Sequence, residues 1–459
     1  MATLIPIDIK NEVQISQLTK MLTLVPIDKE AEERKKIKFS KKIPSQQKEH
    51  IPMFRYHFDE ETKQYFMRVP FRVGCGLKQK LVNRDIDHPR IDYNFAINLR
   101  EHQVSIVQEA YAQLYQFGTT SLNIYTGGGK TIMSAYLLSQ ARLITCVYIN
   151  MQPLISSWYN TFTTCFPDMK DRIWIVGEGP MPANVCLIIC MYQRIDHIPK
   201  EIKERIGCLV IDEAHEFCTI TKVPALLALT PRYVIICTAT LDRNDGMEIM
   251  MHSIVGTHGV ERMSQKPYRM FKVKTGLTIE QEIGRFGIDY GKLVNQQAEH
   301  MERNLIAMNI VNGNPGHKFM IFTKTKKHIE NIAAMCKHFG FEYDTLYGSK
   351  KKFEDKKILL LSLGKGSTGF DYSAALGDLF SGVQPDVLIM MTSVKKIPKL
   401  KQLIGRVLRS DAPNVVYLVD KNPIFSRHFN EAKEMITKAK GEIIEVVYDP
   451  TIPGGNVKI

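Results

Sequence analysis

From near Leu122 the chain settles into a rhythm that constrains its fold more than any other feature: short apolar, β-branched runs alternate with longer mixed stretches of helical character. The runs SLNIYT, LITCVYIN, VCLIICMY, CLVID and YVIICTAT are too continuously apolar to be antiparallel strands with one face in water. They read as a buried parallel sheet with helical crossovers. The rhythm breaks between about Asp242 and Asn314, where IVGTHGVERMSQKPYRMFKVKTG mixes turn residues and charges without a clear period. It resumes with KFMIFT, YDTLYG, KILLLSL, VLIMMT and VVYLVD, a second parallel sheet of similar size. The expected class is therefore α/β, with two tandem parallel-sheet domains over 96–272 and 273–459. Residues 1–95 fit neither sheet. A basic, linker-like stretch is followed by MFRYHFDEETKQYFMRVPFRVG, which reads as alternating strands around a charged turn in a small N-terminal accessory domain.

Composition narrows the setting. Apolar runs such as CLIIC are too short to cross a bilayer, and MATLIPIDIK lacks the charged-then-apolar plan of a signal peptide, so an intracellular, soluble, cytoplasmic protein with no membrane partner is expected. The cysteines, nine in all, form no C-x-x-C pair and no zinc-spaced group. They read as reduced core thiols. A formal charge of +13 suits either solubility or a polyanionic partner, most simply nucleic acid. Basic clusters recur at Arg34 to Lys42, Lys324 to Lys327, Ser349 to Lys357 and Lys395 to Lys401.

Two stretches carry chemistry. In NIYTGGGKTI a strand, a glycine turn and a helix start follow in the order that a phosphate cradle needs: backbone N–H groups aimed inward and a lysine for the terminal phosphates. Ile124, Tyr125, Thr126, Gly127, Gly128, Gly129, Lys130 and Thr131 form this candidate ATP loop, with the Thr131 hydroxyl placed to hold Mg²⁺. The usual pattern has glycine where Ile124 stands, but that position still belongs to the strand. The second stretch, CLVIDEAHEF, delivers Asp212, Glu213 and His215 at a strand end. Asp212 can hold the same Mg²⁺, and Glu213 can polarise the attacking water. A helix cap or solvated loop is the alternative reading of such carboxylates.

With these two in order, the chain from about Leu99 to Arg409 resembles the superfamily 2 helicases and translocases, whose second motif is the D-E-A-H type box. The resemblance implies two RecA-like domains with ATP held between them. It also accounts for Ile124, since many members lack glycine there. Gln103 of LREHQ resembles the glutamine that reads the adenine edge, a primary amide being able to donate and accept at once. Gln152, Pro153 and Leu154, then Tyr192 and Gln193, resemble contacts to the nucleic-acid backbone; plain core packing is the alternative for their aromatics. Thr238, Ala239 and Thr240 match the motif linking the two sites, expected to hydrogen-bond back to the Asp-Glu-Ala-His turn. Arg243, Asp245 and Gly246 resemble the DNA-acting branch that includes the excision-repair and transcription helicase, a phage branch-migrating helicase and the poxvirus transcript-release helicase.

In the second half, Thr323 and Lys324 resemble a backbone-gripping strand end, and Gly366, Thr368, Gly369 and Asp371 match the motif spanning ATP and nucleic acid. QLIGRVLRS places Gln402, Arg406 and Arg409 at i, i+4 and i+7, which predicts one helix face. Such an arginine face can neutralise charge on a transferred phosphoryl group, or simply pair with acidic neighbours. The expected function is an ATP-dependent, Mg²⁺-using helicase or translocase acting on DNA, with transcription or repair machinery as partners, and possession by a large cytoplasmic DNA virus is part of the resemblance. An RNA helicase and a non-unwinding ATPase that remodels complexes are the alternatives.

Overall fold

The structure is a computed structural model describing residues 2–26, 50–125, 127–238, 245–280, 283–284, 287–350, 352–367, 370–395, 397–452 and 454–459. The chain divides into two units, one of 1–124 and 128–262, the other of 125–127 and 263–459.

In the first unit, β1 (Ala2–Ile7), β2 (Arg55–Asp59) and β3 (Gln64–Pro70) form an antiparallel sheet with β3 in the middle. The expected alternating strands around a charged turn are present, although FRVG opens a helix, Phe71–Lys78. The basic segment Arg34 to Lys42 lies outside the described residues. This small sheet belongs to the first unit and is tied to its body. The Ala2 N–H donates to the Leu229 carbonyl at 2.8 Å, and the buried Asn83 amide donates to the Ala2 and Pro231 carbonyls.

The body of the unit is a seven-stranded sheet of β4 (Thr119–Ile124), β5 (Thr145–Ile149), β6 (Ile173–Ile175), β7 (Leu187–Met191), β8 (Cys208–Ile211), β9 (Tyr233–Thr238) and β10 (Val260–Arg262). Its order is β10-β4-β9-β8-β5-β7-β6, parallel throughout. Every residue of β5 and β8 is buried, as the continuous apolar runs require.

The second unit holds another seven-stranded parallel sheet: β11 (Tyr268–Thr278), β12 (Phe319–Thr323), β13 (Tyr343–Leu346), β14 (Ile358–Ser362), β15 (Val387–Met390), β16 (Asn414–Lys421) and β17 (Gly441–Val447). The order is β13-β14-β12-β15-β16-β11-β17. Alternate residues feed two cores: Met320, Leu359, Leu388 and Val415 on one face, and Phe319, Ile321, Leu360 and Val416 on the other. The boundary between units falls at Arg262/Met263, ahead of the expected 272/273. The reason is β11, whose Arg269 to Lys274 pair with Asn414 to Val419 on one side while Tyr268 to Lys274 pair with Gly441 to Val447 on the other. All nine cysteines are buried and free, as expected of core thiols.

Candidate functional site: a phosphate loop beside a buried carboxylate

Strand β4 ends at Ile124, whose side chain is fully buried in the core while its carbonyl accepts a hydrogen bond from Lys130 Nζ at 2.9 Å. The chain then turns through Gly127 (φ 87°) and Gly129 (φ 86°), and the helix Lys130–Ala141 begins. Both angles lie in the region where a side chain is disfavoured. At Gly129 space forbids one as well, because a Cβ would meet Gln103 Nε2 at 2.2 Å. Thr126 lies outside the described residues. Tyr125 and Thr131 are half-buried at either end of the loop.

Gln103 itself is buried, in the first turn of the helix Glu101–Phe117. Its Nε2 donates to the Gly128 carbonyl at 3.3 Å, and its Oε1 accepts from the Arg100 N–H at 2.9 Å. The amide expected to read an adenine edge therefore spends a donor and an acceptor on holding the phosphate loop against the start of its own helix. One N–H and one lone pair remain.

Strand β8 delivers the carboxylates. Asp212 Oδ1 accepts from the Glu213 N–H at 3.0 Å, and Oδ2 accepts from the Trp158 indole at 2.8 Å. Burial pushes the Asp212 carboxyl up and the adjacent Glu213 charge pushes it further; the Trp158 hydrogen bond and the Lys130 charge act in the opposite direction. Glu213 has a left-handed backbone (φ 51°), a strain of about 1–3 kcal/mol. His215 Nδ1 lies 3.0 Å from Thr238 Oγ1, so the expected link between the carboxylate turn and β9 is present. Ala239, Thr240 and Arg243 lie outside the described residues. Sequence reasoning missed Trp158. It sits fully buried on the helix Pro153–Cys165, just past the Gln152-Pro153-Leu154 turn, where it reads as a core aromatic.

These residues fit a divalent cation with bound nucleotide. Each Asp212 oxygen keeps a lone pair, and the carboxylate is short of positive charge. Among the described residues no group of three or more His, Cys, Asp or Glu could hold a metal ion. A cation held by one carboxylate, a hydroxyl, water and phosphates is the usual state of Mg²⁺.

The second unit places its expected residues differently. The helix Ile397–Ile404 stops before the arginines. Beyond Gly405, whose N–H still reaches back four residues, hydrogen bonds close after three: Arg406 N–H to Leu403 O, and Val407 N–H to Ile404 O. Gln402, Arg406 and Arg409 are thus not one face of a continuous helix, because this tighter winding changes the angular step per residue. Buried Arg406 donates from Nε to the Gly366 carbonyl at 3.0 Å and from Nη1 to the Phe370 carbonyl, while Arg409 pairs with Asp371. Gly366 tolerates no side chain, since a Cβ would meet the Phe322 ring at 1.9 Å. Gln402 is buried. Thr368 and Gly369 lie outside the described residues.

Of the expected backbone-gripping residues, Tyr192 begins a short 3₁₀ turn, and Lys222 Nζ stands 5.0 Å from its ring centre. Lys324 follows β12 with Nζ 4.3 Å from the centre of the Tyr290 ring, and burial lowers its pKa.

The chain is similar to several known proteins. Residues 96–243 match the family described as type III restriction enzyme, res subunit. The putative helicase 161L of Invertebrate iridescent virus 6 is 25% identical over 402 residues, covering 81% of this chain and 88% of that protein. The putative helicase 055L of Frog virus 3 is 24% identical, covering 75% and 79%. The transcript termination protein A18 of Yaba-like disease virus is 20% identical, again covering 75% of this chain, and 77% of its own length. Among solved structures, S. cerevisiae Dbp5 bound to RNA and ADP BeF3 superposes with a TM-score of 0.54 at 12% identity, over 75% of this chain and 89% of that one. At that identity the likeness shows the fold. No helix among the described residues is long and apolar enough to cross a membrane.

Proposed function

We propose that this chain, an ATP-dependent nucleic-acid helicase of the superfamily 2 fold, acts on DNA and serves transcription or its termination in a virus-infected cell, in the cytoplasm. The observation that carries the catalytic part is local to the first unit: a lysine following a left-handed glycine acts electrostatically on a buried strand-end carboxylate. The lean to DNA rests on Arg243, Asp245 and Gly246, and the link to transcription on the likeness to A18.

The loop N–H groups and Lys130 bind the nucleotide phosphates, and Lys130 gives up the Ile124 carbonyl to do so. Thr131 and Asp212 would hold Mg²⁺, which would neutralise phosphate charge. Glu213 orients the attacking water and takes its proton. His215, bonded to Thr238, carries the state of the carboxylate turn to β9. Arg406 and Arg409 supply positive charge to the transferred phosphoryl group, exchanging their present carbonyl and Asp371 partners for it. Gly369 and Asp371 belong to the same nucleotide-responsive segment.

ATP hydrolysis with single-stranded DNA, duplex DNA or RNA, in wild type and Glu213→Gln, tests this reading. A fall of about 10²–10⁴-fold in turnover is expected on losing the general base. Turnover that survives the substitution sinks the catalytic assignment, and stimulation by RNA alone sinks the DNA assignment. A strand-displacement assay separates unwinding from translocation: strong stimulated hydrolysis without duplex opening would mark a remodelling motor.

A further inference from the structure

The first unit has a cleft, lined in part by charged side chains, that none of the motifs uses. It holds about 380 Å³ between the small antiparallel sheet and the body of the unit. One wall is the face of β2 and β3 that carries Arg55, His57 and Arg68; the other is the short helix Lys200–Arg205. The floor, Leu227 to Thr230, leads into β9 at Tyr233, and the helix leads into β8 at Cys208. The cleft therefore lies at the amino-terminal edge of the parallel sheet. Lys130 and Asp212 follow strands at the opposite, carboxyl edge.

Its charges are arranged against their own interest. Arg55 and Arg68 are direct cross-strand partners in the antiparallel register, a like-charge pairing that costs stability. Arg68 is pushed down by burial and then by the Arg55 charge. It donates Nη1 to the Leu227 and Ala228 carbonyls, and its Nε and Nη2 make no hydrogen bond with the described residues. Arg55 is exposed and has no carboxylate partner among the described residues. Across the cleft Lys203 is paired with Asp196 at 3.5 Å and Lys200 with Glu204 at 3.8 Å; Glu204 also acts favourably on Arg68, but less than the Arg55 charge acts against it, so the arginine pair is only partly compensated. Planar guanidinium groups of this kind bind phosphate oxygens in pairs.

We infer that this cleft binds phosphodiester groups of a nucleic-acid strand, giving the enzyme a sequence-independent hold at the sheet edge remote from ATP. The inference rests on the helicase reading for its ligand and on the cleft alone for its place. Salt sensitivity is its signature, because each phosphate contact releases counterions.

The test uses the full chain and fluorescence anisotropy of labelled oligodeoxythymidine and oligouridine across a salt series, in wild type, Arg55→Gln and Arg55→Glu. Arg55 is exposed and makes no described bond, so its variants should fold; thermal melting checks this. Arg55→Gln should reduce the slope of log affinity against log salt by about 1, and Arg55→Glu should weaken binding about tenfold or more. Affinity for a fluorescent ADP, bound at the opposite edge, should be unchanged. Equal oligonucleotide affinity and slope in wild type and both variants would overturn the cleft while leaving the helicase reading intact. Failure of wild type to bind any oligonucleotide removes both. Calorimetric binding of inorganic pyrophosphate that is lost in Arg55→Gln, with oligonucleotide binding untouched, marks a free-anion site and overturns the nucleic-acid assignment.

Discussion

Asp212 in the first unit and Asp420 in the second lie at the carboxyl end of an inner strand of a seven-stranded parallel sheet, Asp212 just past β8 and Asp420 within β16, and both are buried. Their surroundings differ. Asp420 accepts from Thr275 Oγ1, Gln297 Nε2 and Arg303 Nε, and Arg303 is fully buried beside it. The protein itself closes that carboxylate. Asp212 accepts one indole and one backbone N–H; burial raises its pKa, the neighbouring Glu213 charge raises it further, and those two hydrogen bonds and the Lys130 charge offset the rise only in part. A buried charge satisfied from within serves the framework, whereas one left short of positive charge is poised to take a cation.

The largest expected effect concerns a charge that is closed now and proposed to open. Arg409→Ala should lower turnover by about 10³–10⁵-fold, with ADP affinity within a few-fold of wild type. Equal turnover would leave Arg409 as a simple partner of Asp371. The comparison itself is tested by a matched pair of variants. Asp420→Ala strands Arg303 and should cost about 3–5 kcal/mol in urea unfolding. Asp212→Asn should leave unfolding unchanged or improved, because it removes an undercompensated charge, while hydrolysis falls by at least about 10²-fold. If Asp212→Asn proved the more destabilising, the contrast between framework and chemistry would fail. The smallest effect belongs to Trp158→Phe, which keeps the ring and deletes the donor to Asp212. Losing a hydrogen bond to a charged group, worth about 1.5–3 kcal/mol, should reduce kcat about tenfold or more and raise the Mg²⁺ concentration for half-maximal rate.

What the sequence revealed follows the same physics. All five runs read in the first half are strands, and so are the five read in the second. Within the two large sheets, the strands it hid are β6 and β10, the two edges of the first, and β11 and β17 at one edge of the second. An edge or near-edge strand need not be apolar throughout. In β11, half-buried Arg269 and Lys272 and exposed Lys274 interrupt buried Tyr268, Met270, Phe271 and Val273, so the segment looks patternless beside a doubly covered strand. The site was legible where backbone geometry forces residue type, as at Gly129 and Gly366. It was illegible where function depends on a long-range partner. Nothing near Trp158 in the chain points to Asp212, and i, i+4, i+7 spacing could not reveal that the helix ends at Ile404.

The position of Trp158 also has an optical consequence. The chain has only two tryptophans, and the other, Trp174, lies on β6 at the far edge of the same sheet. With Trp174→Phe, all indole emission comes from a ring hydrogen-bonded to the carboxylate proposed to take the cation. Occupancy of the nucleotide site can then be followed by intrinsic fluorescence, with no label attached to protein or ligand.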